Sequence, residues 1–210
     1  MPRASEERTN RRKEEIIEAC ASLYETMSFK DITMQEISNA TSFTRTSIYN
    51  YFHTKEEIFL ALLQKEYELW IGDLRKMTEE KESMTSDELA SELAHSLERR
   101  GRLLKILSMN HYDMETNCRM ERLVEFKSVY RETLHSVARC LEKFRCQMTP
   151  EEIRRFLYAF FPFLFGIYPY TVVTEKQKQA MEAAGVNYAF LSIYDITYSF
   201  VKMLLEATEK

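Results

Sequence analysis

Glycine, proline and cysteine each occur only four times in 210 residues, and tryptophan once. So few glycines and prolines leave little material for the turns that join strands. With a 45% hydrophobic share and much Glu, Lys, Leu, Met and Ala, the chain is predicted to be all-α. The four cysteines, Cys20, Cys118, Cys140 and Cys146, form no CxxC and no metal-type Cys/His spacing. They read as reduced thiols of a cytoplasmic protein. His95, His111 and Asp113 have no spacing that fixes a metal, so neither a metal nor another cofactor is expected. A nucleophile elbow, a phosphate loop and a supported carboxylate pair are also missing, and an enzyme is not expected. The N-terminus has no apolar core of a signal peptide. Residues 156–173 carry no charge but include Pro162, Gly166 and Pro169. A membrane span needs about 20 predominantly apolar residues, and this stretch is instead expected to be a helix buried on both sides.

One absence is local. No Asp or Glu occurs from residue 37 to residue 55, although acids make up 33 of the 210 residues. A surface that meets a polyanion has reason to exclude them. The net charge of −4 argues against a nucleic-acid binder held by bulk charge but not against a local patch. Residues 1–55 balance eight Lys/Arg against eight Asp/Glu, so the rest of the chain holds the acidic excess.

Helix starts are marked by a recurring Thr-x-x-Glu/Gln, in which hydroxyl and carboxylate or amide cap each other's backbone N–H. The pairs are Thr33/Glu36, Thr54/Glu57, Thr85/Glu88, Thr149/Glu152 and Thr174/Gln177, with Pro150 at a first helical position. Apolar periodicity predicts helices at about 11–27, 34–40, 45–52, 55–81, 86–99, 101–113, 119–146, 150–172, 175–184 and 188–208. In the second and third of these, Ile37 and Ala40, then Ile48 and Phe52, are the expected inward residues.

Two short helices joined by a turn, the second exposing its front half, form a helix-turn-helix over about 33–52. The second helix enters the major groove. Its first residues are Thr44, Arg45, Thr46 and Ser47. Arg45 can fork onto guanine O6 and N7, and Asn50 can read adenine or bond a phosphate. Tyr49 and Tyr51 can donate to phosphates, and Thr33 and Lys55 can grip the backbone from the flanking helices.

These residues resemble the DNA-binding domain of the tetracycline-repressor (TetR) family. The motif residues are Thr33, Ile37-Ser38, Thr41-Ser42-Phe43-Thr44, Ile48-Tyr49-Asn50-Tyr51-Phe52 and Lys55-Glu56-Glu57-Ile58. The resemblance spans about 10–70. It implies a DNA-binding domain there and an effector-binding and dimerisation domain over 71–210. It further implies DNA contacts by Thr33, Gln35, Thr44, Arg45, Thr46, Ser47, Tyr49, Asn50, Tyr51 and Lys55. Arg3, Arg8, Arg11 and Arg12 would lie on an N-terminal arm. Two positions depart from the family. Thr41-Ser42-Phe43 stands where Ala-Gly-Val is usual, so Ser42 must accept a positive φ or the turn is built differently. Thr46 replaces a frequent Gly.

The C-terminal part carries more apolar surface than one core needs. Both 156–173 and 188–205 are apolar around most of the helix, which suggests a permanent homodimer. Dimerisation through the last two long helices, which the family uses, would place Phe161, Phe165, Ile193, Ile196, Phe200 and Leu204 at the interface. Such a dimer suits a palindromic operator in double-stranded DNA. The family also holds a ligand cavity in this part. By character, Trp70, His95, His111, Tyr112, Phe126, Tyr130, Phe160, Phe163 and Tyr168 are candidate lining residues for a small, largely apolar effector. A DNA-organising or protein-docking factor of the same fold, sensing nothing, is the alternative.

Overall fold

The computed structural model describes the backbone of residues 2–109 and 111–207 and the side chains of residues 7–109 and 114–207. The described residues are helical with connecting turns. The order is α1 (Pro2–Thr26), α2 (Met34–Asn39), α3 (Arg45–Ile48), α4 (Lys55–Glu80), α5 (Ser86–Glu98), α6 (Gly101–Leu107), α7 (His111–Thr116), α8 (Met120–Phe144), α9 (Pro150–Thr171), α10 (Glu175–Ala183) and α11 (Ile193–Glu206). Two compact units form: residues 1–65 with 110–129, and residues 66–109 with 130–210. Both α4 and α8 contribute residues to each unit.

Capping chemistry fixes the starts. Thr85, Thr149 and Thr174 each form the full reciprocal box. At Thr54 only half of it forms. The hydroxyl accepts from Glu57 N at 3.2 Å, but the Glu57 carboxylate accepts from His53 N instead. A sixth box, Ser192 with Asp195, starts α11 at Ile193. The helix expected from residue 188 therefore begins five residues later, and Tyr188, Phe190 and Leu191 precede it. The helix expected over 101–113 is broken after Leu107, where the Ser108 hydroxyl donates to Lys105 O at 2.8 Å. The arginine arm is not an arm: residues 2–10 continue α1. The side chain of Arg3 lies outside the described residues.

In the first unit, Ile16, Ile17, Cys20 and Tyr24 of α1 meet Ile32, Ile37, Ile48, Phe52 and the front of α4 in one core. Tyr24 and Phe29 both set ring edges on Phe59, with centroids 5.1 and 4.8 Å away. Ile37 and Ile48 are fully buried and Phe52 nearly so, as expected, but Ala40, at the C-cap of α2, is exposed.

In the second unit, Trp70 is fully buried. Its ring packs against Phe160 and Phe161 (6.3 and 6.2 Å between centroids), and its indole N–H donates to Ser96 Oγ at 2.9 Å. α11 lies along α5, where Ser91 and Tyr194 share a hydrogen bond and Lys202 pairs with Asp87. α9 buries Ile153, Phe156, Phe160, Phe161, Leu164 and Ile167 but exposes Tyr158, Phe165 and Tyr170. It is buried on one side, not two, because its apolar residues run around more of the helix than this chain covers. Among the described residues no single helix is long and apolar enough to cross a membrane. Only α9 and α10 together pass by length and composition, and they are bent by 84°.

Candidate nucleic-acid interface

The turn between α2 and α3 is built from hydroxyls. Among the described residues no non-glycine has a positive φ, so Ser42 does not copy the glycine that the family uses. Instead, Ser42 N and Ser42 Oγ both donate to Glu15 Oε1 of α1, at 2.8 and 2.7 Å. Ser38 Oγ donates to Phe43 O at 2.9 Å, and Thr41 Oγ1 donates to Ser38 O at 3.1 Å. The Ser42 bonds hold the Glu15 carboxyl below its ordinary pKa. The acid missing from the turn is thus supplied by a helix 27 residues earlier.

α3 itself is one turn long, shorter than the expected 45–52, and hydrogen-bonded turns continue it to Tyr51. Thr44 is its N-cap: the hydroxyl accepts from Ser47 N at 3.2 Å and pairs with Ser47 Oγ at 2.9 Å. So two expected DNA contacts, Thr44 and Ser47, spend hydroxyl capacity inside the protein. Thr33 does the same at α2, accepting from Gln35 N and Glu36 N, and Gln35 Nε2 donates to Asn39 Oδ1. With Ile48 and Phe52 turned into the core, Arg45, Thr46, Tyr49 and Asn50 remain exposed. Their spacing of i, i+1, i+4 and i+5 puts them on one side. Arg45 Nη2 donates to Tyr49 Oη at 3.2 Å, so the two side chains lie together on that side.

Tyr51 is half-buried. Its phenol oxygen accepts from Arg12 Nη1 at 3.0 Å, and Arg12 also lies over the Phe43 ring at 5.8 Å. Lys55 is more interior than a backbone grip requires. Its ammonium donates to Phe29 O and Ile32 O at 2.7 and 2.9 Å and sits 4.4 Å from the Phe29 ring centroid. Two of its three donors therefore tie the α1–α2 connection to α4.

Behind this surface lies a charge pair that the sequence did not reveal. Glu57, 1% exposed, accepts from Arg119 Nε at 2.7 Å on one oxygen and Arg119 Nη2 at 2.8 Å on the other. Arg119 N and His53 N add backbone hydrogen bonds to the same carboxylate. Burial acts to raise this carboxyl's pKa, but the Arg119 and backbone hydrogen bonds together outweigh it and hold the pKa at about 2. Arg119 Nη2 and Arg122 Nη2 both donate to Tyr51 O at 3.3 Å. The Arg122 guanidinium also lies over the Phe52 ring at 5.5 Å. No local pattern announces partners 62 to 71 positions apart.

The sequence matches two family models. "Bacterial regulatory proteins, tetR family" covers residues 16–62, and "Tetracyclin repressor-like, C-terminal domain" covers 64–206. The chain belongs to the TetR family of transcriptional regulators. It carries the family's DNA-binding domain, and the segment just described lies inside the stretch that the N-terminal model matches. Solved relatives share the fold at low identity. A TetR regulator from Rhodococcus sp. RHA1 is 15% identical, covers 97% of both chains and superposes with a TM-score of 0.57. FadR from Bacillus subtilis, solved with stearoyl-CoA, is 15% identical over 90% of this chain and 96% of its own, with a TM-score of 0.58. The uncharacterized HTH-type regulator YfiR of Bacillus subtilis is 27% identical over 78 residues, 37% of this chain and 38% of that protein. The chain thus spans well under half the length of that curated relative.

The other candidate residues divide. Trp70, Tyr130, Phe160 and Phe163 of the second unit belong to one run of ring contacts with Phe161. Phe126 is buried in the first unit. His95 is exposed on α5, its ring tilted against Tyr194 at 4.4 Å and 3.2 Å from Glu98, which does not suit a pocket wall. Tyr168 is half-buried, and burial raises its pKa. The side chains of His111, Tyr112 and Asp113 lie outside the described residues. Of the expected dimer residues, Phe161 is only 3% exposed and already packed on Trp70 and Tyr130, which leaves it little surface for a second chain. Phe165 is exposed, Phe200 stacks on Phe163 at 4.1 Å, and Ile193, Ile196 and Leu204 are half-buried. A groove of about 360 Å³ runs between α8 and α9. Leu134, Leu157, Tyr158 and Pro162 line it beside Tyr130, Phe161 and Phe165, with Arg154 as its one cation. The i, i+4 series Leu157, Phe161, Phe165 was the available sequence signal.

Proposed function

We propose that this regulator is a cytoplasmic homodimeric repressor that reads a palindromic operator and leaves it when a small, largely apolar ligand binds. The observation that carries the DNA reading is the exposed set Arg45, Thr46, Tyr49 and Asn50 on a capped, core-anchored α3. Arg45 is the base-specific contact, while Tyr49 and Asn50 serve the adjoining bases and phosphates. Thr33, Gln35, Thr44, Ser47, Tyr51 and Lys55 shape or flank this surface, and most of their polar atoms first serve the protein.

Dimerisation is supported by apolar side chains that one copy leaves uncovered: Tyr158, Phe165 and Tyr170 on α9 and Met203 on α11. The half-buried Ile196, Phe200 and Leu204 would complete that interface. Two α3 segments related by a two-fold axis suit half-sites one helical turn apart. The groove with Tyr130, Leu134, Leu157 and Phe161 fits an apolar chain, and Arg154 in its lining, paired with Glu151, can meet an anionic head by exchanging that partner. The similarly folded FadR was solved with stearoyl-CoA, so long-chain acyl compounds are the first ligands to try. The tight packing of Trp70, Phe160 and Phe161 favours the second reading, a DNA-organising factor without an effector.

The test is selection of bound duplexes in vitro, followed by titration of the selected site with and without stearoyl-CoA and free fatty acids. A palindromic site released by one of these compounds supports the reading. Selective binding that no candidate ligand alters supports the second. Absence of any selective duplex refutes the DNA reading.

A further inference from the structure

We propose that Arg119 and Arg122, at the start of α8, are positioning residues for DNA reading: they fix the end of the recognition segment at Tyr51 without touching DNA. This inference rests on the assignment of α3 as the reader.

An α-helix of one turn has almost no stability of its own. The pose of α3 and its continuation is therefore set by what holds the two ends. At the front, Thr44 caps it and Ser38 Oγ bonds Phe43 O. At the back, Tyr51 O lies beyond the last helical turn, and the two guanidinium groups converge on that one carbonyl. Tyr49 and Asn50 stand directly before it. A shift of the Tyr51 carbonyl therefore moves both of these exposed side chains and tilts the segment that carries Arg45.

Neither arginine is left as a free phosphate ligand. The Arg119 charge is matched by Glu57 in a two-pronged pair, and Arg122 Nη1 donates to Glu125 at 2.7 Å while its face covers the Phe52 ring. These two arginines lie within the stretch matched by the C-terminal family model, yet residues 110–129 belong to the compact unit that holds the reader. The reading head is thus completed by chain that follows it by more than 60 positions.

The experiment uses the full chain and the duplex selected above. Affinity for that duplex and for random duplex is measured across a salt series for the wild type, Arg119→Ala and Arg122→Ala. Positioning predicts a loss of about tenfold or more on the selected site for Arg119→Ala and a smaller loss for Arg122→Ala. It also predicts little change on random DNA and an unchanged slope of log affinity against log salt. A phosphate ligand would instead lower all affinities alike and reduce that slope by about 1. Unchanged affinity on the selected site, or the reduced slope, overturns the proposal. Arg122→Ala keeps the Glu57–Arg119 pair whole, so it decides the matter if Arg119→Ala does not fold. A wild type with no selective site would sink the reader assignment itself, an outcome distinct from either of these.

Discussion

Both compact units combine an apolar core with long-range polar links, such as Ser91–Tyr194 and Asp87–Lys202 in the second, but they differ in what lies at their functional part. The one that carries the reader is tied by directed polar links between distant positions. Glu15 holds the turn at Ser42, Lys55 holds two carbonyls before α2, Lys65 pairs with Glu14 and Glu18, and Glu57 holds Arg119. The other is centred on rings: Trp70 against Phe160 and Phe161, Tyr130 against Phe161, Phe163 against Phe200. Apolar burial is strong but non-directional, whereas hydrogen bonds demand geometry. A surface that must meet base edges needs a defined pose more than it needs area. The contrast predicts that cuts in the ring cluster cost stability, while cuts in the polar links behind the reader cost DNA selectivity as well.

The largest effect should come from Trp70→Ala. It removes a fully buried ring and leaves Ser96 Oγ without its indole donor, for a loss of about 3–5 kcal/mol in a urea titration. A loss below about 1 kcal/mol would mean that the ring cluster does not hold the second unit.

Next is Glu57→Gln. The folded carboxyl titrates at about 2, below its ordinary 4.5. Its stabilising contribution is therefore fully present above pH 4.5 and is lost as pH falls through about 2. Urea midpoints of wild type and variant should differ most above pH 4.5 and converge toward pH 2. A gap that widens on acidification would refute this.

Arg45→Ala tests the reader without touching a core. It should weaken operator binding by about 1–3 kcal/mol and relax the preference at one base pair, as read by competition between variant duplexes. Its urea midpoint should stay at the wild-type value. If midpoint and affinity fall together, the contrast between the units fails at an exposed residue of the reader.

The smallest effect belongs to Thr149→Ala, which removes the cap of α9 far in sequence from the reader. A loss of about 1 kcal/mol in stability is expected, with operator affinity unchanged on a chain that remains folded.

What could be read from the sequence follows how local each cause is. Thr85, Thr149 and Thr174 carry their cap partners three residues on, so those helix starts were legible. Ile48 and Phe52 were legible as core from their i, i+4 spacing, and Ile37 from the periodicity of the preceding helix, although Ala40, expected beside it, is exposed. Ser192 with Asp195 is equally local, yet the apolar run before it masked the start of α11. The turn at Ser42 was legible only as a departure, because the carboxylate that resolves it sits on α1. Lys55 was read as a DNA grip because its two carbonyl partners lie 26 and 23 positions back.

By itself the sequence determined that this chain is helical, where most helices begin and that it resembles TetR regulators, with a helix-turn-helix expected over 33–52. Each of these is written in spacings of a few residues or in motif identity. Only the tertiary structure decided how a glycine-free turn is held, which polar groups of the reader stay exposed and which arginines fasten its end. Those outcomes depend on groups that the backbone brings together across tens of residues, and hydrogen-bond geometry cannot be inferred from separation along the chain.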